Sequence, residues 1–454
     1  MSNNTVKSSK SGSQGRTIAI VAMFFLFAMI SFVTNLAAPL GTIWKNSYEW
    51  SGMLGNLMNF LAYLFMGIPA GNMLVKVGYK KTAQYAMVVG LVGLVLQWLS
   101  SFVGTETGVF EVQGTMVTLN FIIYLLGAFI CGFCVCMLNV VVNPMLNLLG
   151  GGGNKGNQLV QMGGSCNSLA GTLTPLFVGM LVGQVTVATS MTDVTPLLFI
   201  AMGVFVLAFI VISAVAIPEP NLGAKKVKYS HSPWNFRHTV LGVIGIFFYV
   251  GIEVGIPGVL LFYLSDSAAS GITVNATAVA GGVVAIYWLL MLVGRLTSSA
   301  ISGKVSSRAQ LIFVSLVAIL LILGAISLPS SYRVSMPAYS VEDGFTMASV
   351  PTKALLFVLC GLCTSVMWGG IFNLAVEGLG KYTAQASGIF MMMVVGGGVM
   401  PVIQNAIADS AGYMVSYWLV IAMLAYLLFY GLIGSRNVNT DIPVDEEEEV
   451  PNSL

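Results

Sequence analysis

Of 454 residues, 57% are hydrophobic and only 8% charged, and the mean hydropathy of +0.89 lies far above what a water-soluble globular chain carries. The chain belongs in a bilayer, and its long charge-free runs exclude an outer-membrane barrel, whose strands alternate in segments of about ten residues. A formal net charge of +2 selects no class of partner.

The first fifteen residues, MSNNTVKSSKSGSQG, are polar, and the apolar run from Thr17 lacks a small-residue cleavage site, so it predicts a retained helix. Further spans are predicted near 50–73, 81–103, 118–146, 156–183, 195–217, 238–265, 274–302, 309–328, 352–379, 382–409 and 412–434, the first covering 17–44. The fold class is all-α membrane protein with twelve transmembrane helices. Residues 1–16 read as a cytoplasmic tail, 17–217 as one six-helix bundle, 218–237 as a linker with prolines and basic residues, 238–434 as a second bundle and 435–454 as an acidic tail. The loops at 104–117, 184–194 and 329–351 are polar or acidic, with nothing that suggests a folded domain.

Charge sets the orientation. With the N-terminus inside, one side takes Lys7, Lys10, Arg16, Lys76, Lys80, Lys81, Lys155, Lys225, Lys226, Lys228, Arg237, Arg295, Lys304, Arg308, Lys381 and Arg436, sixteen residues, and the other only Lys45, Arg333 and Lys353. Sixteen against three places both termini in the cytoplasm of a cell whose inner membrane the chain crosses.

Shifted by about 228 residues, the chain matches itself: Lys76 and Lys80 pair with Lys304 and Arg308, Cys131-Gly132-Phe133-Cys134 with Cys360-Gly361-Leu362-Cys363, and Pro175 with Pro401. Six spans repeated in the same orientation are a parallel duplication. The Cys-x-x-Cys pairs have no nearby His and sit in apolar helices, where small packing contacts outweigh a metal or redox reading. Gly396-Gly397-Gly398 before Pro401 makes the eleventh span a bending point.

Gly71-Asn72-Met73-Leu74-Val75-Lys76-Val77-Gly78-Tyr79-Lys80-Lys81 resembles the loop signature of the major facilitator superfamily, with Val75 where most families have an acid. Together with Asn143-Pro144, Asn167-Ser168, Tyr249-Val250-Gly251, Gly294-Arg295 at the close of the eighth span and the Gly396 run, the pattern resembles the fucose:proton symporter family. Tyr249 to Val254 and Asn167 to Phe177 are closer to its glucose/galactose transporters than to its fucose permeases. The resemblance implies cation-coupled uptake of a small sugar by alternating access. Fucose permeases carry acids four residues before the first-span proline and four before the Asn-Pro of span four. Here those positions are Asn35 and Asn139, amides that do not titrate.

Polar groups at membrane depth are expected to face a water-filled cavity or to pair with another helix. Asn35, Asn139, Asn143, Gln161 and Asn167 fall on spans one, four and five, which line the central cavity in the fold the resemblance implies. Amides both donate and accept, which suits sugar hydroxyls, although each alone is as readily interhelix glue. In the second half Trp288, Tyr287, Trp368, Asn373, Gln404 and Asn405 are candidates, since an indole stacks on a pyranose while amides bind its edges. Trp368 is the repeat-equivalent of Asn139. Glu253 reads as the only acid well inside a span, a lone carboxylate costing roughly 3 kcal/mol on insertion scales. A carboxyl that a proton or Na⁺ can neutralise is what coupling needs. Its plainer reading is a neutral Glu bonded to a neighbouring helix.

No catalytic constellation lies at membrane depth, so an enzyme is disfavoured. A multidrug exporter, whose greasy pocket could draw on 25 Met and 25 Phe, and an uncoupled sugar facilitator stay as alternatives. The expected partners are a small sugar, H⁺ or Na⁺ and the lipid bilayer, for a monomer without cofactor, metal or nucleic acid. A reporter fused after Gly434 should be cytoplasmic and one placed in 329–351 external; finding both on one side overturns the twelve-span reading.

Overall fold

The computed structural model describes residues 3–150, 153–182, 189–219, 231–301, 305–340 and 344–444. Among them the first half comprises α1 (Asn3–Ser47), α2 (Leu54–Lys76), α3 (Gly78–Leu99), α4 (Leu119–Gly150), α5 (Gly153–Val182) and α6 (Thr195–Ala214). The second comprises α7 (Arg237–Ser265), the single turn α8 (Ser267–Ser270), α9 (Ala276–Ile301), α10 (Ser307–Ser327) and α11 (Thr352–Val376). It ends with α12 (Thr383–Met393) and α13 (Gly396–Ala411), two pieces of one span, and α14 (Tyr413–Phe429). The helix expected to begin at Thr17 starts at Asn3. Lys225, Lys226, Lys228 and Lys304, most of the linker and the acidic stretch from Asp445 lie outside the described residues.

Eleven helical stretches among the described residues are long and apolar enough to cross a membrane. The 30-residue α5, richer in Gly, Asn and Gln, packs along α1 and α9 and completes the sixth position of its half. Outward faces are as apolar as inward ones. On α6, Leu198, Ala201, Phe205, Ala208 and Ile212 are buried at helical spacing, while Phe199, Val206, Leu207 and Ile210 are exposed. Such a surface would aggregate in water, whereas in lipid it costs nothing.

Tight seams use small residues. Ala83, Ala86, Gly90 and Gly93 on α3 form a groove in which Cys131 and Cys134 of α4 sit over Gly93 and Gly90, so the first Cys pair serves packing. The repeat appears as equivalent contacts. Gly132 lets α4 lie on the Asn59 carbonyl of α2, and its counterpart Gly361 lets α11 lie on the Tyr287 carbonyl of α9. The pairings α2–α4, α3–α4 and α1–α5 recur as α9–α11, α10–α11 and α7–α13, and the halves meet along α5–α9 and along α2 with α12 and α13. This is the two-repeat, six-plus-six architecture expected.

The eleventh span breaks where Gly396 begins, with Val394 and Val395 between its two helices. Proline also frees carbonyls inside spans, because residue i can no longer donate to i−4. Pro401 frees the Gly397 carbonyl, which accepts from Asn56 Nδ2 on α2 at 2.8 Å. Pro257 frees that of Glu253, which accepts from Tyr287 Oη at 3.3 Å. Both orphans are thus recovered by side chains of other helices, the first across the two halves.

Two of the polar loops form antiparallel hairpins: β1 (Gly108–Val112) with β2 (Thr115–Thr118), and β3 (Arg333–Ser340) with β4 (Gly344–Pro351). The first turns through Gln113 and Gly114, both at positive φ, the geometry that matches strand twist in a two-residue turn.

At the opposite end α2 and α3 are joined by a tight corner. Gly78 takes φ +89°, and Glu219, just after α6, accepts from the backbone N–H of Tyr79 at 2.5 Å and of Lys80 at 2.9 Å. A carboxylate here satisfies orphan donors and faces the positive end of the helix dipole. Lys80 Nζ closes the corner on the Ser213 and Val215 carbonyls. Glu219→Ala should cost about 1–2 kcal/mol, seen as a lower unfolding temperature of the solubilised protein. An unchanged temperature would mean the corner holds without it.

Candidate functional site

The two halves enclose a cavity of about 170 Å³. It is smaller than the roughly 300–1,000 Å³ usual for drug-sized ligands, which suits a small polar molecule. From the first half it is lined by Ser31, Thr34 and Asn35 on α1, Phe60 and Tyr63 on α2, Asn139 and Asn143 on α4, and Gln161, Gly164 and Asn167 on α5. The second half contributes Glu253 on α7, Trp288 and Arg295 on α9, Ser365, Trp368 and Gly369 on α11, and Met391 and Val394 beside the span break. Asn35, Asn139, Asn143, Gln161, Asn167, Trp288, Trp368 and Glu253 are therefore brought together in one place.

Each asparagine is anchored by its nitrogen. Asn35 Nδ2 donates to Ser31 O at 2.8 Å and to Ser31 Oγ at 3.1 Å; Asn139 Nδ2 donates to Tyr63 Oη at 2.7 Å and to Val135 O at 3.1 Å. Asn143 Nδ2 reaches Asn139 O at 2.9 Å, and Asn167 Nδ2 reaches Phe27 O of α1 at 3.4 Å. Gln161 on α5 extends to Gly369 on α11, where a Cβ would crowd its Nε2. The indoles stand on aromatic supports: Trp288 lies edge-on to Tyr287 at 5.5 Å between ring centroids, and Trp368 edge-on to Tyr249 at 6.1 Å.

Glu253 is not the lone carboxylate that the sequence suggests. Arg295 Nη2 lies 3.3 Å from Glu253 Oε1, with both side chains at most 15% exposed. Nor does Arg295 close the eighth span or belong with the end-of-helix cations: α9 continues to Ile301, and Arg295 points into the cavity. The available signal was its isolation, nine residues before Lys304, where span-closing charges otherwise cluster. Its other arm donates through Nη1 to the Gly164 carbonyl of α5 at 2.5 Å, so one guanidinium joins a carboxylate of its own half to the backbone of the other. Tyr63, which holds Asn139, was likewise not anticipated.

The remaining candidates lie outside the cavity. Asn373 is exposed, beyond Trp368 along α11. Gln404 is fully buried against Gly255 of α7, and neither of its amide atoms has a hydrogen-bond partner among the described residues. Asn405 Nδ2 donates to Asp409 Oδ2 at 2.8 Å, and Tyr287 Oη is shared between Thr364 Oγ1 at 2.9 Å and the Glu253 carbonyl. Gln404 and Asn405 lie on α13, which packs along α7.

Towards the hairpin end the halves are pinned together. Lys45 Nζ, at the end of α1, lies 3.3 Å from Asp409 Oδ1 on α13 and 4.5 Å from the ring centroid of Phe262 on α7. Met53 fills the space over Gly258, and Asn56 holds Gly397.

Residues 19–400 match the Major Facilitator Superfamily. A glucose/galactose transporter of Brucella abortus biovar 1 (strain 9-941) is 31% identical, over 96% of this chain and 98% of that protein. The L-fucose-proton symporter of Escherichia coli (strain K12) is 21% identical, over 90% of each. A crystal structure of the E. coli fucose:proton symporter superposes with a TM-score of 0.66 at 17% identity, covering 93% of this chain and 98% of the other. The chain thus belongs to the Major Facilitator Superfamily, and among these relatives it is more similar to the glucose/galactose transporter than to the L-fucose-proton symporter.

Proposed function

We propose that the protein is a secondary active transporter that imports a small sugar, a hexose or deoxyhexose, by alternating access, with H⁺ or Na⁺ coupled through Glu253. The observation that carries this reading is the convergence of four asparagines, two tryptophans and a Glu–Arg pair from both halves on one small cavity. Amides and indoles are the groups that bind pyranose edges and faces. The relative named a glucose/galactose transporter supports the substrate class, and the one named an L-fucose-proton symporter supports coupling to a cation. With Arg295 moved from the ends into the cavity, the charge bias is fifteen to three, which still supports both termini in the cytoplasm of a cell whose inner membrane holds the protein.

Coupling through Glu253 is electrostatic. With Glu253 ionised, the Arg295 charge is balanced, and its second arm ties α9 to α5. A proton or Na⁺ reaching Glu253 neutralises the carboxylate and leaves a guanidinium at membrane depth with no counter-ion, a state costly enough to force rearrangement. Because the same guanidinium spans the halves, that rearrangement acts where they meet. Asn35 and Asn139 do not titrate, which leaves Glu253 as the cavity's carboxyl for this role.

Glu253→Gln keeps an acceptor for Arg295 but removes the ionisable state. Gradient-driven accumulation in proteoliposomes should fail, while exchange of sugar down its own gradient survives. A Gln variant that still concentrates sugar rules out Glu253 as the coupling site.

Asn139→Leu or Asn143→Leu should weaken sugar binding by about 1–3 kcal/mol for each lost buried hydrogen-bonding group while the protein stays folded. Unchanged affinity in both variants, measured on folded protein, would assign them to helix packing alone.

A further inference from the structure

The cavity asparagines are not interchangeable donors and acceptors. A backbone carbonyl only accepts, so the amide atom of Asn35 beside Ser31 O and that of Asn139 beside Val135 O must be nitrogens, which fixes the orientation of both side chains. Each amide has two N–H bonds, and both are used. Asn35 gives its pair to the Ser31 carbonyl and hydroxyl, and Asn139 gives its pair to the Val135 carbonyl and the Tyr63 hydroxyl. Neither Oδ1 has a protein donor among the described residues, yet both side chains line the cavity and neither oxygen is among the sequestered unpaired atoms.

We infer that Asn35 and Asn139 select substrate as acceptor-only groups, so two hydroxyls of the transported sugar must face the first half as hydrogen-bond donors. Trp288 and Trp368 line the same cavity from the second half. On the first half the substrate is read through its hydroxyl hydrogens at Asn35 and Asn139, and the indoles of the second half offer faces on which its ring can stack. Tyr63 is a positioning residue here, since its hydroxyl takes the Asn139 nitrogen that would otherwise be free to donate to a ligand.

This inference rests on the sugar reading above, and its test separates the two. Binding of D-glucose and D-galactose to the full-length purified protein is measured by titration calorimetry, together with each monodeoxy and each monodeoxyfluoro analogue. Fluorine occupies the place of a hydroxyl but cannot donate. At two ring positions the deoxy and fluoro analogues should both bind at least about ten-fold more weakly than the parent and about equally to one another, the size of one buried hydrogen bond. At one of these positions the penalty should vanish in Asn139→Leu, and at the other in Asn35→Leu. The analogue comparison on the unaltered protein stands even if a variant fails to fold. Fluoro analogues that bind like the parent wherever the deoxy analogues fail overturn the inference, as do penalties that persist undiminished in both folded Leu variants. If neither parent sugar nor any other hexose or deoxyhexose binds, the sugar reading falls and the inference with it; binding with the wrong analogue pattern overturns the inference alone.

Discussion

An ionised carboxylate in the middle of an apolar bundle needs a countercharge, and in this protein Arg295 supplies it to Glu253 from the neighbouring helix. Neither charge is tolerable there alone, so each fixes the other's place. The guanidinium, planar and forked, has donors left over, and one of them reaches the Gly164 carbonyl across the cavity. A lysine could neutralise the carboxylate, but its compact ammonium does not present the same forked geometry to both partners. The pair therefore links charge at membrane depth to the fit between the two six-helix halves.

Around that pair each half is packed within itself, and the halves meet along two seams, α5 with α9 and α2 with α12 and α13. Gly132 and Gly361 allow backbone-on-backbone approach inside their own halves, and Cys131 and Cys134 fill the same kind of seam over Gly93 and Gly90. Between the halves, beside apolar contacts such as Met53 over Gly258, run polar ones that are individually replaceable: Lys45 with Asp409, Asn56 with the Gly397 carbonyl, and Arg295 with the Gly164 carbonyl. Rigid bodies joined by such contacts suit motion of one against the other.

Much of this was legible in the residues. Span positions followed from apolar runs ended by charge, and the asparagines on spans one, four and five did converge. Arg295 was misread because an arginine after a glycine near the end of a run looks like a stop signal, although α9 carries on for more than a turn. Gln404 and Asn373 show the other limit: a polar residue at membrane depth has a reason to be there, but which face of a helix turns to the cavity is settled by how that helix packs, as Gln404 packs against Gly255 of α7. The hairpins at 108–118 and 333–351 were missed because short alternating segments are overshadowed by the hydropathy of the spans. The amide orientations were out of reach, being settled by which backbone carbonyl each nitrogen finds.

The carbonyl freed by Pro401 has one further consequence. Gly397 O is satisfied by Asn56, a residue of the opposite half, so separating the halves at that level leaves a bare peptide oxygen and a bare amide. In hydrocarbon that would be prohibitive, so water has to enter as the contact parts. The two conformations then differ in the number of waters they hold, and their balance becomes sensitive to osmotic pressure. Excluded solutes favour the joined form and dilute solution the parted one, with no change in any ligand.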